Sequence, residues 1–153
     1  MLAIDRAQMD APTHDSPYDL LLDTAVRAAQ RAAAVIREQA GGPDGVRDKG
    51  RNDFVTNTDE RAQAVITEHL RETFPRDAIL AEEGAVGDGD APVASGRRWI
   101  VDPIDGTTNF MHRVPPYAVS IALQEGDAIV VGVVLDVPRD ELFTAVAGHG
   151  LQV

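Results

Sequence analysis

The sequence predicts an α/β fold in which two helices pack on a largely antiparallel sheet. Three observations lead there. Two stretches of helical periodicity lie in the first half, β-rich runs separated by tight turns fill the last third, and between them a strand-like segment, Trp99-Ile-Val, runs into Asp102-Pro-Ile-Asp105-Gly-Thr-Thr-Asn-Phe110. At 153 residues the chain is one domain by length. A chain of that size buries ~70% of its unfolded surface, enough for a true core.

Taken in order, residues 1–16 read as a disordered, solvated tail carrying Asp5, Asp10 and Asp15, and residues 17–153 as the domain. Ser16-Pro17 opens the first helix, with serine as N-cap, proline at the first helical position and Asp19 in the first turn. Leu21, Leu22, Ala25, Val26, Ala29, Ala33 and Ile36 form its apolar face, and Gly41-Gly42 stops it. A polar segment, Lys49-Gly-Arg-Asn-Asp53, leads to Phe54-Val55-Thr56. Thr58 is the expected N-cap of a second helix whose stripe is Ala62, Val65, Ile66, Leu70 and Phe74, and Pro75 ends it. Residues 78–81 read as a short strand running into Glu82-Glu83, and residues 86–97 as an exposed loop rich in Gly, Asp and Ala. Residues 117–123, 128–137 and 141–146 then read as largely buried strands of an antiparallel meander, and Gly148-His149-Gly150 starts one more.

Composition narrows the function. The net charge of −11 argues against a nucleic-acid partner, because phosphate-backbone binding needs clustered Lys and Arg. With no cysteine there is no disulfide, thiolate zinc site or cysteine nucleophile. No apolar run approaches the ~20 residues of a membrane span, and the N-terminus lacks a signal-peptide core, so a cytoplasmic protein without a membrane partner is expected.

The segment from Asp102 to Thr108 sets two carboxylates three residues apart, followed by a glycine and two hydroxyls. Hard oxygen ligands and accessible backbone amides in one small turn suit a magnesium ion and a phosphate group. An ordinary strand-to-turn junction also uses Asp, Pro, Gly and Thr. Asp59, on its own, reads as a helix-start charge; Lys49 and Glu83 read as solvated, Asp53 as a turn cap, His112 as a surface histidine, and Trp99 as the anchor of the strand presenting Asp102. His14, His69 and His149 have no ligand spacing.

Three further segments accompany the motif: Lys49, then Asp53-Phe-Val-Thr-Asn-Thr-Asp59, then Ile79-x-x-Glu82-Glu83. Together with Trp99-Ile-Val-Asp-Pro-Ile-Asp-Gly-Thr-Thr-Asn-Phe110, this order resembles the N-terminal portion of the inositol monophosphatase family, the magnesium-dependent, lithium-sensitive sugar phosphatases. The resemblance implies that Mg²⁺ is held by Glu82, Asp102, Asp105 and the carbonyl of Ile104. It implies that Asp105, Gly106 and Thr107 contact the phosphate of a small-molecule monoester, and that Thr107 and Asp59, with Glu82 close by, orient a metal-activated water. Locally, Pro103 would restrict the turn that aims the Ile104 carbonyl, and Gly106 would admit the anion without a Cβ in the way.

Length is where the sequence departs from the family. The C-terminal α/β domain, with the Trp-Asp motif whose aspartate completes the metal site, is absent from these 153 residues. The expectation is therefore a truncated phosphatase with impaired activity. The alternatives are a metal- and phosphate-binding fragment without turnover, or half of a split or domain-swapped assembly. The family is often dimeric, and an uncovered sheet would favour association into a homodimer. The substrate is inositol 1-phosphate by default, with related sugar phosphates open.

Overall fold

The computed structural model describes residues 17–39, 47–50, 53–82 and 95–153, with backbone alone for 47–50 and 53–55. The proposed tail, the Gly41-Gly42 stop and Glu83 lie outside these residues, as do all but the last three positions of the proposed 86–97 loop.

Two long helices form where the periodicity placed them, with shifted starts. Helix α1 spans Asp19–Glu38 and takes Tyr18 as its N-cap position without a side-chain cap, so the helix begins two residues later than Pro17 implied. Its core face is mostly alanine: Ala25, Ala28, Ala29, Ala32 and Ala33 are fully buried, flanked by Leu21 and Ile36, while Leu22 and Val26 sit at the edge of the core. Side chains this small let a second helix approach closely. That helix, α2 (Asn57–Thr73), is capped by Thr56 rather than Thr58. Thr56 has the extended backbone an N-cap needs, and its hydroxyl accepts from the amide of Asp59 three residues on. The Asp59 carboxylate accepts in return from the amide of Thr56, 2.8 Å away. This reciprocal box satisfies two helix-end donors, which Thr58, one turn position too late, cannot do.

The polar segment around Lys49 is a strand, β1 (Arg47–Gly50), paired antiparallel with β2 (Asp53–Val55) in a small separate sheet. The main sheet has six strands in chain order: β3 (Ala78–Ala81), β4 (Arg97–Asp105), β5 (Ala118–Glu125), β6 (Ala128–Asp136), β7 (Glu141–Val146) and β8 (Gly150–Gln152). All neighbours are antiparallel except β3 and β4, which run parallel. Helices α1 and α2 pack against each other and cover one face, where Trp99, Val101, Val119, Ile121, Leu123, Val131, Val133 and Leu135 are buried. The opposite face is open, with Leu80 and Val134 exposed at 42% and 40%. The meander is thus less buried than expected, and β8 is exposed throughout.

One end of β4 is held by a polar cluster. Asp77, buried just before β3, accepts from the Trp99 indole N–H (3.1 Å) through one oxygen and from Arg97 (3.0 and 3.2 Å) through the other. Phe74 lies against the Trp99 ring and under the Arg97 guanidinium. The anchoring role expected of Trp99 rests on this arrangement.

Candidate active site

The aspartate motif is strand rather than turn: β4 runs through to Asp105, and a third helix, α3 (Thr107–His112), starts immediately after Gly106. Strand geometry would send residues 102 and 105 to opposite faces, since side chains alternate. The pairing with β5 prevents this. Asp102 faces Ser120 and Asp105 faces Ala118, so three steps on β4 are matched by two on β5. One extra residue in β4 shifts the alternation, and Pro103 and Ile104 are both buried in succession. Asp102 and Asp105 therefore share the face away from the helices.

The Asp102 carboxylate accepts from the Ile104 amide at 3.1 Å, a local loop that tightens the shifted segment. The Ile104 carbonyl lies 3.0 Å from the Thr107 hydroxyl, and the same hydroxyl is 3.1 Å from Asp59 Oδ1. Having one proton, the hydroxyl donates to one of them at a time. Asp59 is 1% exposed, and its second oxygen takes the Thr56 amide and the Thr56 hydroxyl in a short bond. The start of α2 and the start of α3 thus meet through Asp59 and Thr107. Residues in the left-handed region seldom carry side chains, and Gly106 at φ 91° is the hinge between β4 and α3. A Cβ on Gly106 would meet the Pro116 carbonyl at 3.2 Å. The chain segment packed against it leaves little room for a side chain there. Asn109 holds that same carbonyl through its amide at 2.8 Å.

Glu82 follows β3 and is exposed; its amide donates to the Val101 carbonyl at 3.2 Å, which ties it beside the aspartate strand. The Asp102 carboxyl is pushed up to about 7 by burial, then by the charge and hydrogen bonding of Glu82, with Asp105 adding to the crowding and the Ile104 amide opposing it. Asp102, raised in this way, is short of positive charge around it. A hard divalent cation would supply it, and three carboxylates with the Ile104 carbonyl are the donors such an ion prefers. Among the described residues, no three acidic or histidine side chains have already closed into a metal cage. The donor set fits the ion in chemistry, with the ligands still spread.

The structure brings together Asp59, Thr107 and Ile104 by hydrogen bonds, and Glu82, Asp102 and Asp105 by charge. His112 is exposed. Thr56, which sequence reasoning passed over, is the residue that fixes Asp59. Its spacing from Asp59, Thr-x-x-Asp, is the capping-box pattern and could have revealed it.

A six-stranded sheet backed by two helices, with carboxylates and a hydroxyl gathered where β4 meets α3, defines an α/β domain. The chain belongs to the inositol monophosphatase family, whose model matches residues 18–153. It is 45% identical over 136 residues to Nus factor SuhB of Escherichia coli strain K12, covering 87% of this chain and 49% of that protein. It is 43% identical over 129 residues to inositol monophosphatase 1 of Solanum lycopersicum, covering 84% of this chain and 47% of the relative. The extragenic suppressor protein SuhB of Bartonella henselae superposes with a TM-score of 0.78 at 38% identity, over 87% of this chain and 50% of that one. The chain spans about half the length of the curated relatives it matches.

Proposed function

We propose that this chain carries the phosphate-side half of a Mg²⁺-dependent phosphatase site that hydrolyses a small phosphate monoester, inositol 1-phosphate or a related sugar phosphate, by an activated water. The observation that carries the reading is the Asp59–Thr107 contact beside the acidic end of β4. Mg²⁺ held by Glu82, Asp102, Asp105 and the Ile104 carbonyl would neutralise phosphate charge and acidify a water. The chain's own residues do the rest. When Thr107 donates to Asp59, its oxygen presents lone pairs to a water and orients it. Asp59 stays in place because Thr56 saturates its other oxygen. Glu82, exposed just past the end of β3, would take the proton the water releases. Asp105 and the backbone at Gly106 and Thr107 border the phosphate.

The test is Mg²⁺-dependent phosphate release from inositol 1-phosphate, with Asp105→Asn as control and Mg²⁺ affinity measured in parallel for Asp102→Ala. Turnover abolished by the first change, with Mg²⁺ affinity lowered at least tenfold by the second, is the expected result. Mg²⁺ binding without turnover would reduce the function to a metal- and phosphate-binding module, or to one whose site a second chain completes. Mg²⁺ affinity unchanged in Asp102→Ala would remove the ligand assignment.

A further inference from the structure

Away from the acidic cluster, the seam between α1 and α2 holds a titratable group that the phosphatase reading leaves unused. His69, on α2, is half-buried, and both of its ring nitrogens are fully shielded with no hydrogen-bond partner among the described residues. A neutral imidazole has one donor and one acceptor, and here neither is satisfied. The imidazolium would place two donors and a charge in the same spot, a heavier loss because its hydration is removed and nothing replaces it. The surrounding charges do not offset that loss. From α1, Arg31, Arg27 and Asp23 face the ring, and Asp23 is already held by Arg27 at 2.9 Å. From its own helix, Glu72 faces it three residues on. β4, also packed against α2, carries Arg97, which is held by Asp77. Burial is the largest influence and lowers the ring's pKa from the usual 6.5; Arg31 and Arg27 act with it, Glu72 and Asp23 against it.

We propose that His69 makes the α1–α2 seam acid-sensitive: its ring stays packed between the helices only while neutral, and protonation opens the seam locally. The closed seam keeps its full stability above pH 6.5, where the ring is neutral in either form. It loses stability as the pH falls below that value, because the open form binds the proton more tightly. Shielding of both nitrogens ties the two events together, since a proton reaches the ring only when the helices part. The core face of α1 is mostly alanine, and side chains this small hold a neighbour by little apolar area apiece. In the open form the imidazolium regains water, and Glu72, at i+3, becomes a partner on the same helix. α1 remains tied to the sheet through β5 and β6, which confines the opening to the seam. The inference is independent of the phosphatase reading.

Hydrogen exchange of the α1 and α2 amides, followed by NMR from about pH 7.5 to about pH 5.5 and corrected for the intrinsic pH dependence of exchange, tests it. The His69 ring titration is read on the same samples. One proton and an open-form pKa of 6.5 allow the open population to rise by about tenfold over this range. A rise of at least ~threefold at the seam is expected, with the ring titrating below 6.5. His69→Leu and His69→Gln do not titrate and are expected to abolish the rise; the glutamine variant serves if the leucine variant folds poorly. A ring that titrates at or above 6.5, or opening that grows equally in the wild type and the non-titrating variants, overturns the proposal. Opening that grows as much in the sheet amides as at the seam also overturns it. The Asp102 carboxyl, raised to about 7, shifts stability in the opposite sense and does not mimic the expected rise.

Discussion

Replacing Asp77 by alanine is expected to cost more stability than replacing any of the surface acids. Asp77 is 5% exposed and serves three donors at once: Trp99 at 3.1 Å and two Arg97 nitrogens at 3.0 and 3.2 Å. Removing it strands the indole N–H of Trp99, itself 0% exposed, a loss of ~1–3 kcal/mol. The Arg97 side chain, 26% exposed, recovers part of its hydration and softens the remainder. Removing one partner of a buried ion pair costs ~3–5 kcal/mol, and the two contributions overlap rather than add. For a domain of this size that lowers Tm by roughly 6–20 °C. Urea denaturation and thermal melting would measure it, with Asp77→Asn falling between wild type and alanine because it keeps one acceptor. The double change with Trp99→Phe isolates the indole bond: Asp77→Ala should cost ~1–2 kcal/mol less in that background. A cost below ~1 kcal/mol for Asp77→Ala, or full additivity with Trp99→Phe, would refute the anchoring role.

Three further outcomes follow from the same coordinates. Thr58→Val should raise stability by ~1 kcal/mol in urea denaturation, since the Thr58 hydroxyl is buried without a partner and valine has its shape. Gly106→Ala should lower it by ~1–3 kcal/mol, because alanine is strained at φ 91° and its Cβ would press on the Pro116 carbonyl; near-wild-type melting would deny the hinge. For Asp102, raised from 3.8 to about 7, the folded chain keeps a proton that the unfolded chain has released. Stability of the metal-free chain should therefore fall as pH rises from about 4 to about 7. The full linkage is ~4 kcal/mol, reduced to ~1–2 kcal/mol by solvent screening of a half-buried group, and Asp102→Asn should flatten the slope.

Much of the fold was legible in the sequence because it rests on periodicity. The stripe from Ala62 to Leu70 and the alternating run from Val119 to Leu123 are local patterns, and both form their expected elements. Helix starts were less legible. Thr56 and Thr58 are both good N-caps by type, and the choice is made by the reciprocal bond to Asp59, which composition alone does not weigh. Asp77 gave no local signal, since its partners lie 20 and 22 residues away and are reached only once β3 and β4 pair in parallel. The site was readable as a set of residue types, and its three-dimensional junction was not. Thr107 and Asp59, separated by 48 positions, meet because β4 delivers α3 to the start of α2.

The extra residue between Asp102 and Asp105 makes the aim of both carboxylates depend on the pairing register in a way that a regular strand does not. Elsewhere on the sheet, a substitution alters one side chain and leaves its neighbours aimed as before. Here, pairing β4 and β5 one for one at the present spacing would restore strict alternation and turn either Asp105 or Asp102 toward the helix-covered interior. A scan of point substitutions would understate the demands on this segment. Deletions would expose them: losing Pro103 alone leaves the two carboxylates two positions apart and still on one face, whereas losing Pro103 and Ile104 together makes them neighbours on opposite faces.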